Sequence, residues 1–308
     1  MPEPGRKTEM QAFETGEKVR FENILLATDF SASSQTALLY ALSMARRYRA
    51  RVFIAHVVNP QAAKLLGQDA VQRALNDAWR SAQAEITNQL IEGRLEGVEH
   101  QIVVEQGEVW QELSKLIEKF NADLLVTGTR GRTGVWKILL GSTAERIFRS
   151  SPIPVLTIGP HAAGSMPPAE GPKRILYSTG FAVQSLNASK YAFSIAHQQQ
   201  AHLALLHVAK DVPDNEQWKR AELERDSKQR LLSLVPPDMP APPEIFVAFG
   251  TPAQAILKTA EHWNPDLIVL GLRRLEEVSG KKATWATAYN VVIDAPCPVL
   301  TIRAPENV

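Results

Sequence analysis

The chain has 308 residues, 44% of them hydrophobic and 22% charged, a composition typical of a soluble globular protein rather than a disordered one. Its 34 lysines and arginines nearly balance 33 acidic residues, and the net charge of +1 excludes a general electrostatic attraction to nucleic acid or anionic membranes. The single cysteine, Cys297, excludes an intramolecular disulfide and a multi-cysteine metal cluster, and we expect it to be a small apolar side chain in a reducing compartment.

The first residues of the chain are polar. Residues 1–20 lack the hydrophobic segment of a signal peptide, and no apolar run approaches the roughly 18 residues that a membrane-spanning helix needs. We therefore expect a disordered polar tail over residues 1–20, a cytoplasmic protein, and no membrane or nucleic-acid partner.

After this tail, short apolar runs alternate with longer stretches that carry apolar residues at helical spacing. Strands are predicted at residues 24–27, 52–58, 102–104, 124–126 and 155–158, with helices between them. Ser31 and Ser33 are candidate N-caps of the first helix, and Trp79, on the inner stripe of the second, is expected in the core. Because the strands are wholly apolar, we expect helices on both faces and hence an open, doubly wound parallel α/β sheet.

The second half of the chain repeats the first. The segment Asn23–Phe30 recurs as Arg174–Phe181, an offset of 151 residues, and three further blocks recur in the same order. The sequence therefore predicts two tandem domains, at residues 21–159 and 173–303, joined by a proline-rich linker at 160–172.

A glycine-rich loop follows the fourth predicted strand and runs from Gly128 to a helix that begins near Ser142. Glycines let backbone N–H groups approach an anion closely, and a helix N-terminus adds unsatisfied donors and partial positive charge. Basic residues in this region outnumber acidic ones by five to one: Arg130, Arg132, Lys137, Arg146 and Arg149 against Glu145. The pattern predicts phosphate binding, although Arg146 and Arg149 are better interpreted as a solvated helix face.

Two familiar phosphate-binding motifs are excluded. The loop lacks the Gly-Lys-Ser/Thr ending of a P-loop, and it follows the fourth strand rather than the first, where a dinucleotide-binding fingerprint would lie. A flexible surface loop followed by a helix capped by Ser142 is the alternative interpretation.

The first strand ends in Thr28-Asp29, which would lie beside the loop if the first and fourth strands are neighbours. Ligands of open α/β sheets bind beyond the carboxyl ends of strands, where the winding direction reverses. Asp29 repels phosphate but can accept hydrogen bonds from ribose hydroxyls or a base amine. Alternatively, Asp29 is a cap or turn residue, which is common just before a helix.

These residues resemble the universal stress protein family, which is marked by a first strand ending in Thr-Asp and by Gly-x2-Gly-x9-Gly-Ser/Thr after its fourth strand. The resemblance covers two copies from about Phe21 to Arg303. It implies tandem flavodoxin-like (Rossmann-like) five-stranded parallel sheets of order 3-2-1-4-5, pairing of the two copies through their last strands, and ATP binding where the glycine motif is kept. The ATP contacts implied by position are Ala27, Thr28, Asp29, Val57, Thr127, Gly128, Gly131, Gly141, Ser142 and Thr143.

The second copy departs from the motif at the positions that matter. Gly180 stands in place of Asp29 and Arg274 in place of Gly131, while Gly141-Ser142 is replaced by Trp285-Ala286. We therefore expect this degenerate copy not to bind ATP in the family manner and to serve as a structural partner domain. His56 and His207, which recur at the ends of second strands without an evident catalytic partner, are interpreted as hydrogen-bonded structural histidines.

The functional hypothesis is an ATP-binding regulatory protein of stress adaptation, which holds ATP, with or without Mg²⁺, in its first domain and acts as a nucleotide-sensitive interaction module. No catalytic residues or protein metal ligands are identified, so at most weak ATPase activity is expected. A slow ATP hydrolase or other nucleotide-dependent enzyme on the same fold, and a scaffold that binds no nucleotide, are the alternatives. The sequence leaves the protein partner unknown and a homodimer open.

Overall fold

The computed structural model describes residues 18–58, 68–91, 93–129, 142–162, 167–168, 171–272 and 283–303. The first copy comprises β1 (Asn23–Ala27), α1 (Ala32–Tyr48), β2 (Arg51–Val58), α2 (Gln68–Ile91), β3 (His100–Gln106), α3 (Val109–Lys119), β4 (Leu124–Gly128), α4 (Ser142–Ser150) and β5 (Val155–Ile158). The second comprises β6 (Arg174–Ser178), α5 (Val183–Gln199), β7 (His202–Ala209), a 3₁₀ turn (Asp214–Glu216), α6 (Gln217–Leu232), β8 (Glu244–Phe249), α7 (Pro252–Trp263), β9 (Leu267–Leu272), α8 (Ala283–Asp294) and β10 (Val299–Arg303).

The ten strands of the described residues form one sheet, in the order β3-β2-β1-β4-β5-β10-β9-β6-β7-β8. Each copy has the predicted order 3-2-1-4-5 with parallel pairing throughout. The expected pairing of the copies is also present, because β5 and β10 pair antiparallel, with Val155 opposite Thr301 and Thr157 opposite Val299. Among the described strands this is the one antiparallel pairing, so the carboxyl ends of the two sets of strands lie at opposite edges of the sheet.

The apolar strands are buried on both faces, as predicted. In β1, Ile24, Leu25 and Leu26 have no exposed surface. Ile24 and Leu26 belong to one core cluster and Leu25 to another, because successive side chains of a strand point to opposite faces. The prediction of a doubly wound α/β sheet is therefore confirmed.

The core on one face is shared by both copies. Apolar residues of α1 and α5 lie in the same buried cluster. Two further clusters are buried as well: one belongs to the first copy, and the other combines second-copy residues with Ala144 and Phe148 of α4. Phe21, 1% exposed, packs edge-on against Tyr48 of the first copy and stacks near Tyr191 of the second. The last residues of the predicted tail are described, and there the Val19 N–H donates to Ser194 Oγ at 2.8 Å; residues 1–17 lie outside the described ranges.

The prediction that Trp79 is a core residue is wrong. Its side chain is 49% exposed, whereas Ala82, one turn further along α2, is fully buried. Since α2 contacts β2 and β3 at the outer edge of the sheet, only a narrow stripe of the helix is covered, and the large indole extends beyond that stripe.

In the described part of the chain, no helix combines the length and apolar character needed to cross a lipid bilayer.

Candidate functional site

The predicted site lies where the winding of the first copy reverses, at the carboxyl ends of β1 and β4. Ala27, the last residue of β1, pairs with Ala55 of β2 on one side and with Thr127 of β4 on the other. Helices α1 and α4, which follow these two strands in the chain, lie on opposite faces of the sheet, because α1 packs in one core cluster and Ile147 of α4 packs in the other. The sheet therefore opens a crevice beside Ala27 and Thr127, the usual ligand position in this kind of fold.

Gly128 is a close-approach position. A Cβ placed on this residue would lie 3.1 Å from both the carbonyl carbon and the carbonyl oxygen of Ser33, which is tighter than ordinary packing. Because those atoms belong to the backbone of the first turn of α1, they could move only with the helix. A side chain at position 128 would therefore push α1 away from the end of β4.

The turn after β1 is held by its own backbone and by a histidine. The Thr28 N–H donates to the Ala55 carbonyl at 2.9 Å, and the Phe30 N–H donates to Thr28 Oγ1 at 3.1 Å. Phe30 adopts a left-handed conformation with φ of 61°. His56 Nδ1 lies 2.8 Å from the Thr28 carbonyl oxygen; since a carbonyl can only accept, Nδ1 is the donor. The interpretation of His56 as a hydrogen-bonded structural histidine is confirmed.

Asp29 performs the local role that the sequence allowed as its alternative. Its Oδ1 accepts hydrogen bonds from the Ser31 N–H at 3.1 Å and from Ser34 Oγ at 2.6 Å, which fixes the turn into α1. Ser31 is the N-cap of this helix, as predicted. Asp29 is half-buried at the crevice, so part of its surface remains accessible. Its contact with a ligand stays a prediction.

The predicted contacts fall into two groups. Ala27, Thr28, Asp29, Thr127 and Gly128 come together at the crevice, and Val57 lies two residues beyond Ala55 on the neighbouring strand. Gly131 and Gly141 lie outside the described residues. Ser142 and Thr143 form the start of α4, but their side chains lie outside what the structure describes.

Two polar residues of the site were missed by the sequence analysis. Thr129, directly after Gly128, is 2% exposed and donates its N–H to the Ile158 carbonyl at 3.1 Å; its Oγ1 has no hydrogen-bond partner among the described residues. Ser34 is the second, because its hydroxyl holds Asp29. No sequence motif specifies this bond, because the capping-box pattern requires Glu or Gln at position 34.

The second copy keeps the turn and changes its surroundings. The Phe181 N–H donates to Thr179 Oγ1 at 3.1 Å, and His207 Nδ1 donates to the Thr179 carbonyl at 2.9 Å, which confirms the structural interpretation of His207. However, the guanidinium of Arg230 lies 4.0 Å from the centre of the Phe181 ring, and Gly180 is exposed in place of the carboxylate of the first copy.

At the other end of this copy's crevice, the backbone of Trp285 lies within the first turn of α8, which begins at Ala283. Ala286 follows it in the same helix and is half-buried. Arg274 and the side chain of Trp285 lie outside the described residues, so the expectation that they close the phosphate end stays a prediction.

Comparison with known proteins identifies the family. The sequence profile of the universal stress protein family matches residues 20–159 and 171–303. A universal stress protein of Methanocaldococcus jannaschii is 30% identical over 139 residues, which are 45% of this chain and 82% of that protein. One of Thermus aquaticus is 32% identical over 137 residues, or 42% of this chain and 98% of that protein.

The crystal structure of a universal stress protein from Archaeoglobus fulgidus superposes with a TM-score of 0.65 at 22% identity, covering 91% of this chain and 98% of that one. At this identity the likeness shows the fold, and it extends over both copies. With its two profile matches, the chain therefore belongs to the universal stress protein family as a tandem, two-copy member.

Proposed function

We propose that the first copy binds ATP in the crevice between β1 and β4, and that the protein acts as a nucleotide-sensitive interaction module in stress adaptation. The observation that carries this proposal is the contact between Gly128 and the Ser33 backbone at the point where the winding reverses. It joins the first glycine of the loop to the helix start that follows Asp29, which supports a site shared by both parts of the family motif.

The roles divide along the crevice. Ala27, Thr28, Val57 and Thr127 would contact the adenosine, and Asp29 would accept hydrogen bonds from ribose hydroxyls or the base amine. Gly128, Gly131 and Gly141 would present backbone N–H groups to the phosphates, and Ser142 and Thr143 would add hydroxyl donors at the start of α4. ATP, with or without Mg²⁺, supplies the triphosphate charge that these donors match.

The proposal gives the protein a regulatory rather than a catalytic role. A ligand that binds only the folded state stabilises it by mass action, and contacts with the glycine-rich loop would change the surface read by a protein partner. No residue is assigned to activate water, so ATPase activity should be weak at most. The second copy would serve as a structural partner, which leaves room for a homodimer through other surfaces.

The test is titration of the full chain with ATP while thermal stability and calorimetric heat are recorded. At about 100 times Kd, ATP should stabilise the protein by about 2.7 kcal/mol. Gly141→Trp places in the first copy the residue that the second copy has, and it should abolish the shift. Glu96→Trp, at an exposed turn, is the matched control and should bind like the wild type.

Two results would favour the alternatives instead. Phosphate release faster than about 1 per second would favour an ATP-dependent enzyme. Absence of any stabilisation at millimolar ATP, or equal binding by Gly141→Trp, would favour a scaffold that binds no nucleotide in this crevice.

A further inference from the structure

A second concave region lies away from the β1–β4 crevice, where the carboxyl-terminal ends of α1 and α5 meet. This groove has a volume of about 950 Å³ and is formed by α1, the turn after α2, the linker and the end of α5. Its size falls within the range of small-molecule sites. Since both copies contribute to it, the groove exists only because the copies are joined.

The groove concentrates positive charge on a nearly neutral chain. Arg46 and Arg47 of α1, Arg94 and Lys173 give four permanent cations, and His197 also lines it. No aspartate or glutamate is among the described residues that line it. Glu92 and Glu170, which neighbour lining residues in the sequence, lie outside the described residues.

The arginines are positioned by backbone carbonyls. The Arg46 guanidinium donates to the Arg94 carbonyl, and that of Arg47 donates to the Gln198 carbonyl of the second copy. Arg47 and Gln198 are 151 residues apart, which is the offset of the repeat, so this bond joins equivalent positions of the two copies. A guanidinium has five N–H donors, and one such bond leaves the group able to bind an anion as well.

A buried amide lies at the same place. Gln199 is 4% exposed and lines both the groove and the narrower cavity beneath it. No hydrogen bond of ordinary geometry to the described residues satisfies its side-chain nitrogen or oxygen, although the amide lies near enough to the buried Tyr48 hydroxyl to oppose the rise that burial causes in the Tyr48 pKa. The amide nitrogen carries two N–H donors, so a ligand oxygen could accept from it even with the Tyr48 hydroxyl beside it, which would recover part of the free energy that burial of the amide costs.

We propose that this groove binds a small polyanion that carries several phosphate groups. The four cations are exposed, and an exposed ion pair contributes little, so a singly charged anion would not be held. An anion with several charges contacts several side chains at once and can also reach the amide of Gln199. Nucleic acid fits less well, because the charge is confined to one short groove and does not form a stripe along which a strand could lie.

The probe is inorganic tripolyphosphate, measured by calorimetry on the full chain. Because this anion could also enter the glycine-rich loop, the measurement is made on wild type and on Gly141→Trp. Binding at the groove should persist in Gly141→Trp and should weaken as salt rises. This separates the inference from the proposed ATP site, whose failure would leave the groove intact.

The groove itself is tested by the triple variant Arg46→Gln, Arg94→Gln, Lys173→Gln, which should bind about tenfold more weakly. Lys210→Gln, Arg225→Gln, Lys258→Gln removes three exposed cations elsewhere and should keep wild-type affinity, which controls for net charge. If the first triple variant does not fold, Arg94→Gln alone should reduce the affinity for tripolyphosphate about two- to threefold. Three outcomes would overturn the inference. They are loss of tripolyphosphate binding in Gly141→Trp, equal weakening in both triple variants, and a wild-type chain that binds single-stranded DNA but does not bind tripolyphosphate.

Discussion

Single residues in this protein carry local roles that the repeat has copied. Thr28 and Thr179, Phe30 and Phe181, and His56 and His207 form the same turn in both copies, and both phenylalanines have a positive φ. Cys297 is 6% exposed, and burial, with Asp266 contributing, raises the pKa of its thiol to about 12. It is a small buried side chain, as its isolation in the sequence indicated.

His207 should make stability depend on pH. Burial lowers the pKa of His207, and the positive charge of Arg230 lowers it further, against the opposing hydrogen bond to the Thr179 carbonyl. The unfolded state therefore binds the proton more readily, so the neutral histidine stabilises the fold above its ordinary pKa near 6.5 and that contribution is lost as pH falls. Urea unfolding measures the free energy of unfolding at pH 7.5 and at pH 5.5. The decrease between the two pH values should be smaller for His207→Gln than for wild type. An equal or larger loss in the variant would contradict this.

At the scale of elements, each copy fixes the start of its first strand with one aspartate. Asp123, just before β4, accepts from the N–H groups of Glu22 and Asn23, and Asp266, just before β9, accepts from those of Lys173 and Arg174. The carboxylate thus satisfies N–H donors at the start of the neighbouring strand. Both copies therefore use the same contact to hold the two central strands of their sheet, β1 with β4 and β6 with β9, in register.

Removing this carboxylate should loosen the second copy. Asp266→Ala breaks bonds of 2.8 and 2.9 Å to Oδ2 and should lower the free energy of unfolding by about 1–2 kcal/mol, toward the lower end for hydrogen bonds to a charged group because Asp266 is half-exposed. Glu261→Ala, an exposed acidic position on α7, is the control and should change stability by less than about 0.5 kcal/mol. Denaturant unfolding measures both, and equal effects would show that the bonds contribute nothing.

At the scale of the molecule, the β5–β10 pairing turns two domains into one sheet. Pairing covers the edges that two separate sheets would expose, and the α1–α5 face adds a continuous apolar core across the junction. The antiparallel junction also places the β1–β4 crevice and its counterpart in the second copy at opposite edges. A ligand in one crevice therefore does not contact the other.

A charge buried at this junction should be strongly destabilising. Thr301 of β10 is 1% exposed, with its hydroxyl 3.3 Å from the Val155 carbonyl of β5. Thr301→Lys should cost about 3 kcal/mol or more, because an unpaired buried charge is not compensated. Thr251→Lys, at an exposed position whose side chain makes no cap hydrogen bond, is the matched control. Unfolding followed by circular dichroism compares them, and similar midpoints would contradict a close-packed junction.

Much of the fold and part of the site could be predicted from local patterns. The apolar runs predicted the strands, and the cap at Ser31 predicted the start of the first helix, because these signals act over short distances. The 151-residue repeat predicted the two copies, and the strand order followed from the family resemblance. Local patterns do not decide the role of Asp29. The same residue type suits a turn and a ribose contact, and only the structure shows the bonds that it makes to Ser31 and Ser34.

The sequence by itself determined the duplication, the doubly wound class and the asymmetry between an intact and a degenerate glycine motif, since each is written in residue type and spacing. Only the tertiary structure decided that the strands joining the two copies run antiparallel, that Trp79 lies beyond the covered stripe, and that basic residues from both copies line one groove. Those features depend on contacts between segments far apart in the chain, which no local pattern specifies.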